Sequence, residues 1–113
     1  MKNIAYGGGQ MTVRFTERET ALMREALARW GLAAQAGQTV EECAELIVAL
    51  QKHTNRAPSA HTAALVADEL ADVEIMLAQM RMALGIDDES FRARMAAKFE
   101  KLADYLRRDT ENA

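Results

Sequence analysis

Acidic side chains in two short runs are the residues of this chain best placed to do chemistry. They read Glu41-Glu42-Cys43-Ala44-Glu45 and, about two dozen residues on, Asp68-Glu69-Leu70-Ala71-Asp72. A helix turns about 100° per residue, so residues three apart share a face, one turn from each other. Glu42 with Glu45, and Glu69 with Asp72, are then two stacked carboxylate pairs if both runs are helical. Antiparallel packing of those helices brings four carboxylates to one point, where they repel one another until a cation neutralises them. All-oxygen donors select a hard divalent ion, Mg2+ first, with Mn2+ as a substitute. The competing reading of any single pair is a solvated helix face, because charged residues are mostly exposed. Glu69 and Asp72 weigh against it: around the helix they bracket the direction of Leu65 and Met76, and carboxylates among apolar neighbours need partners.

The elements that must carry these runs are helical. Ala, Leu and Met predominate over Val and Ile, 50 % of residues are hydrophobic and 5 % aromatic, a balance that favours helices over strands. Thr16 with Glu19 forms a capping box that predicts a first helix from Glu17 to about Trp30, with Gly31 as a break, a kink or a close packing point. Thr39 and Glu42 read as a second cap, opening a helix from about Val40 to His53. Its apolar stripe is Val40, Cys43, Ala44, Ile47 and Leu50. Thr54 to Ser59, with the only proline at Pro58, is a loop. A third helix runs from about His61 to Leu84, where Gly85 stops it. Its main stripe is Val66, Leu70, Val73, Leu77, Met80 and Leu84. Ile75, Ala78 and Met82 make it apolar on a second side, so it is central or covered by a second subunit. Asp87 or Asp88 caps a fourth helix from about Glu89 to Arg107. The expectation is one all-α domain over residues 17–108, a four-helix bundle, between a flexible N-terminal arm (1–16) and a frayed C-terminus (109–113).

Composition excludes several classes. Net charge is −3, from 17 acidic and 14 basic residues, with no basic block, which disfavours nucleic acid as a partner. No apolar run approaches eighteen residues, so no membrane span or signal peptide is expected. The lone Cys43 forms no internal disulfide and reads as a buried thiol in a reducing, cytoplasmic setting. Neither His53 nor His61 has a glutamate three residues before it, which argues against a di-iron carboxylate bundle.

The order Glu-Glu-x-x-Glu, spacer, Glu-x-x-Asp resembles the signature of the MazG-like all-α nucleoside triphosphate pyrophosphohydrolases. Leu46, Asp68 and Val73 beside the motifs, Trp30-Gly31 upstream and Lys98-Phe99-Glu100 downstream are also similar, so the resemblance spans roughly Thr16 to Arg107. It implies a MazG-like bundle assembling as a dimer or dimer of dimers, which cleaves nucleoside triphosphates to monophosphate and pyrophosphate with Mg2+. By position, Glu42, Glu45, Glu69 and Asp72 would be the metal ligands, and Glu41 a further ligand or an acceptor that helps orient water; Glu41 and Glu45 are the catalytic candidates. Lys98 matches a basic position of the family, whereas Ala96 stands where some relatives carry asparagine, leaving substrate preference open.

Other candidates come from the residues alone. A triphosphate needs cationic donors, for which Lys52 and Arg56 near a helix end, and Lys98 and Lys101 on the fourth helix, are available. Trp30 offers a face for stacking on a base or a core anchor, and Gln35 or Gln38 a hydrogen bond to a base edge. The alternative from another class is a catalytically silent helical oligomer, an interaction or regulatory module whose acids form surface ion pairs.

Overall fold

In the computed structural model, which describes residues 14–113, the chain is helical throughout: α1 (Glu17–Gln51), α2 (Ala60–Ala83) and α3 (Asp88–Glu111). The Thr16–Glu19 capping box forms at both bonds, 2.8 and 3.1 Å, and fixes the start of α1. Gly31 breaks α1, as expected, at φ 85° and ψ 165°, a conformation open essentially only to glycine, but the chain is helical again from Leu32 rather than from about Val40. Thr39 caps nothing; its hydroxyl donates to the Gln35 carbonyl one turn back, at 2.8 Å, so the helix runs through it. The described residues thus form three helices, the first kinked at Gly31, and α3 runs on to Glu111 where an end at about Arg107 was expected. The expected N-terminal arm lies mostly outside the described residues.

Past Gln51 the backbone widens into a π-helical turn, Lys52–Arg56, before the Pro58 loop. Ser59 and Thr62 form a second capping box that opens α2. Gly85, at φ 66°, ends α2 with amide bonds from Gly85 to the Met82 carbonyl and from Ile86 to the Arg81 carbonyl, a Schellman stop that satisfies two otherwise free carbonyls. Asp87 then caps α3 through the Ser90 amide, at 2.7 Å.

The kink makes α2 central. After Gly31, α1 runs antiparallel to α2: Gln35 meets Gln79, Glu42 meets Asp72 and His53 meets Thr62, each step along one helix a step back along the other. Before Gly31, α1 crosses to another side of α2, where Met23 is buried beside Leu22, Ala71 and Ile75, and Leu27 lies beside Met82. The chain's own α1 thus covers part of the second apolar side of α2: Ala78 is buried and Met82 half-buried, while Ile75 stays 42 % exposed. The face that α1 turns to α2 is not the expected stripe. Gln35 and the half-buried Thr39, Glu42, Leu46, Ala49 and His53 line the seam, while Val40 and Ile47 stay 70 % and 60 % exposed. At one end of the seam the polar groups pair: Gln35 Nε2 donates to Gln79 Oε1 at 2.7 Å, both residues buried. Apart from the Arg81 side chain, which touches Asp88 and Phe91 at the corner, α3 packs against neither α1 nor α2. The radius of gyration, 17.2 Å, accordingly exceeds the roughly 13–14 Å of a compact domain of this length.

Candidate metal centre

The acids that lie on one face of each helix meet across the seam. Carboxylate oxygens of Glu42, Glu69 and Asp72 all lie within 4.8 Å of one another. Glu45 adjoins Glu69 in the same register, and its charge acts on both Glu42 and Glu69. This arrangement follows from the two i, i+3 pairs once the helices are antiparallel.

The cluster is only partly solvated: Asp72 and Glu45 are exposed, while Glu42 and Glu69 are half-buried. The Oε2 atoms of Glu42 and Glu69 are shut off from solvent and have no hydrogen-bond partner. Burial raises the Glu42 carboxyl above its ordinary value of 4.5; the Gln38 hydrogen bond opposes this, and the charges of Glu45 and Asp72 reinforce it. Burial likewise raises Glu69, with repulsion from Glu45, Asp72 and Glu42 adding to it. Among the described residues the ion pairs join Arg29, Arg81, Arg107 and Arg108 to Glu25, Asp88, Asp104 and Glu111, and none engages the cluster. Occluded oxygens with neither donor nor cation, in a set made wholly of carboxylates, fit a hard divalent ion.

A groove of about 420 Å3 opens beside the cluster, lined by Glu41, Glu45 and Glu69, by Lys52, and by the apolar Ala44, Val48, Ala49 and Leu65. Two expected residues, Glu41 and Lys52, are thus at the site's edge. Others are elsewhere. Gln35 is buried against Gln79 in the seam, Trp30 is 59 % exposed beside the Gly31 kink, and Arg56 is exposed at the end of the π-helical turn, outside the groove lining. Lys98 and Lys101 lie on α3, which does not pack against the site helices. Cys43 is half-buried on the outward side of α1. Sequence reasoning missed the role of Gln38, which donates to Glu42 Oε1 at 2.8 Å and steadies that carboxylate. Its position one turn before Glu42 was the available signal. Val48 and Leu65 as groove walls carried no signal of their own.

Comparison with family models, curated proteins and solved structures returns no match for this chain. No helix among the described residues is long and apolar enough to cross a membrane.

Proposed function

We propose that the protein is a Mg2+-dependent hydrolase of nucleoside triphosphates, ribo or deoxy, releasing a monophosphate and pyrophosphate, with Mn2+ as a working substitute and a MazG-like site. The observation that carries the proposal is the pair of occluded, unpartnered oxygens of Glu42 and Glu69 inside a carboxylate cluster that opens onto a groove. A triphosphate carries about four negative charges and can enter an acidic groove only through bridging cations.

In this reading Glu42, Glu45, Glu69 and Asp72 hold the metal. Bound there, Mg2+ supplies charge neutralisation and polarises phosphoryl oxygens. Gln38 fixes the Glu42 carboxylate, which limits the reorganisation needed when the metal arrives. Lys52, across the groove, offsets phosphate charge. Glu41, at the groove's edge, orients the attacking water and accepts its proton. The water oxygen forms a new bond to phosphorus as the bridge between the α and β phosphates breaks, and the departing oxygen takes up the electron pair. Val48 and Leu65 offer the base an aliphatic wall. The partner of the assembly is a second copy of the chain, as a dimer or dimer of dimers, and a cytoplasmic setting suits the substrate.

The test is incubation with a panel of ribo- and deoxynucleoside triphosphates plus Mg2+, with the products resolved. Monophosphate and pyrophosphate support the proposal, whereas diphosphate and free phosphate, or no turnover of any triphosphate, count against it. The silent-module reading has less support, because the ion pairs it requires at these acids are absent among the described residues.

A further inference from the structure

Two sets of large apolar side chains face outward on well-formed elements. On the hairpin they are Val40, Ile47 and Leu50 of α1 and Leu70, Leu77 and Leu84 of α2, each between 41 % and 70 % exposed. Around α1 the first three point away from Glu45, and around α2 the others point away from Asp72. Because the helices are right-handed and antiparallel, both sets fall on the same flank, opposite the groove. On α3 the exposed Phe99, Leu102, Tyr105 and Leu106 continue the stripe begun by the half-buried Phe91 and Met95. Neither set is covered within its own chain, and in a contact that uses both at once the two add to an area of the order that each partner gives a stable interface, roughly 800 Å2.

The corner between α2 and α3 keeps these surfaces apart within one chain. The Arg81 guanidinium lies over the Phe91 ring, 4.5 Å from its centroid, and 3.4 Å from Asp88. With only Leu84 to Asp87 between the helices, this contact holds the start of α3 where its stripe does not reach its own hairpin.

We propose that α3 is an exchanged arm: in a two-fold dimer, α3 of each copy lies on the apolar flank of the other copy's α1–α2 hairpin. The proposal rests on the self-association named above and adds which surfaces make it. A two-fold axis closes both contacts at once, leaving neither stripe exposed and no open end from which a filament would grow. Charge favours the same occupant. Lys98 lies within the α3 stripe, between Phe91 and Leu102, with Arg94 and Lys101 on its flank, and has no ion pair in its own chain among the described residues. A cation carried into an apolar contact needs a carboxylate. On the docking flank of a second copy the acid in position is Glu74, exposed and one turn from both Leu70 and Leu77, whereas Glu41, Glu42, Glu45, Glu69 and Asp72 lie toward the groove.

Light scattering and sedimentation of the full chain at micromolar concentration test this with two variants, Phe99→Asp/Leu106→Asp on α3 and Ile47→Asp on the hairpin. The wild type is expected to have the mass of a dimer or an even multiple. Each variant is expected to weaken association at least tenfold, with helical circular dichroism retained because neither site packs within its own chain. If only Ile47→Asp dissociates the protein, the hairpins meet without α3 and the exchanged arm is overturned while self-association stands. If neither variant changes the mass, the surfaces are wrong. A monomeric wild type overturns both and leaves the apolar faces to a different partner.

Discussion

Glu45 and Asp72 lie toward the two ends of the carboxylate cluster, one on each helix, and test the site most directly. Replacing either by alanine removes a proposed ligand, so Mg2+-dependent turnover is expected to fall by at least a hundredfold, measured as pyrophosphate release. The fold is expected to survive, and metal-free melting temperature to hold or rise, because a like charge is relieved at a site with no cation. An acid in a structural ion pair would behave oppositely, and a lower melting temperature with full activity would return the cluster to the silent-module reading.

Titration of the same carboxyls gives a second residue-scale prediction. Glu42 and Glu69 hold their protons more tightly folded than unfolded, since burial and neighbouring acids raise both above 4.5. From that value upward the folded state therefore binds more protons than the unfolded state, and stability falls as pH rises. The neutral forms' contribution is fully present below the unfolded value and is lost as pH passes through the raised folded values. Metal-free melting of the wild type, compared with Glu42→Gln/Glu69→Gln, is expected to worsen progressively above pH 4.5, and saturating Mg2+ to shrink the difference. A wild type that gains on the variant with rising pH would contradict the repulsive cluster.

At the scale of elements, Gly31 and the Gln35–Gln79 pair decide how α1 lies on α2. A Cβ at Gly31 meets no atom within 4 Å, so the burden of Gly31→Ala is the backbone conformation alone, about 1–3 kcal/mol. Urea denaturation is expected to show a lower midpoint with unchanged slope. Gln35→Ala leaves the buried Gln79 amide unpaired and is expected to destabilise by about 1–3 kcal/mol, whereas replacing both by leucine should recover most of that. The π-helical turn is held by a comparable contact. The Thr62 hydroxyl accepts from the Ser59 amide, has the Ala57 carbonyl within 2.9 Å, and meets His53 Nδ1 at 2.7 Å, tying the turn to the start of α2.

For the whole molecule, binding and folding are linked. A ligand that engages only the folded cluster stabilises it by about 2.7 kcal/mol at a concentration a hundred times its Kd. Because Mg2+ gains oxygen ligands from phosphate, melting temperature is expected to rise little with Mg2+ alone and substantially with Mg2+ plus a non-hydrolysable triphosphate. Calorimetry should show the same dependence as tighter Mg2+ binding, and its absence would dissociate the metal site from the nucleotide.

The sequence by itself determined the helical class, the Thr16–Glu19 capping box, the Gly85 stop and the pairing of Glu42 with Glu45 and of Glu69 with Asp72, because these are local consequences of helix periodicity and backbone hydrogen bonding. The occlusion of the carboxylate oxygens, the choice of seam and the placement of Lys98 are tertiary. Val40 and Ile47 have the spacing of a core stripe, yet the structure turns them outward and gives the seam to Gln35, Glu42 and His53. Which face a helix buries depends on what the facing helix offers it, and here Gln79 and Thr62 offer Gln35 and His53 hydrogen-bonding partners that no pattern within α1 alone contains.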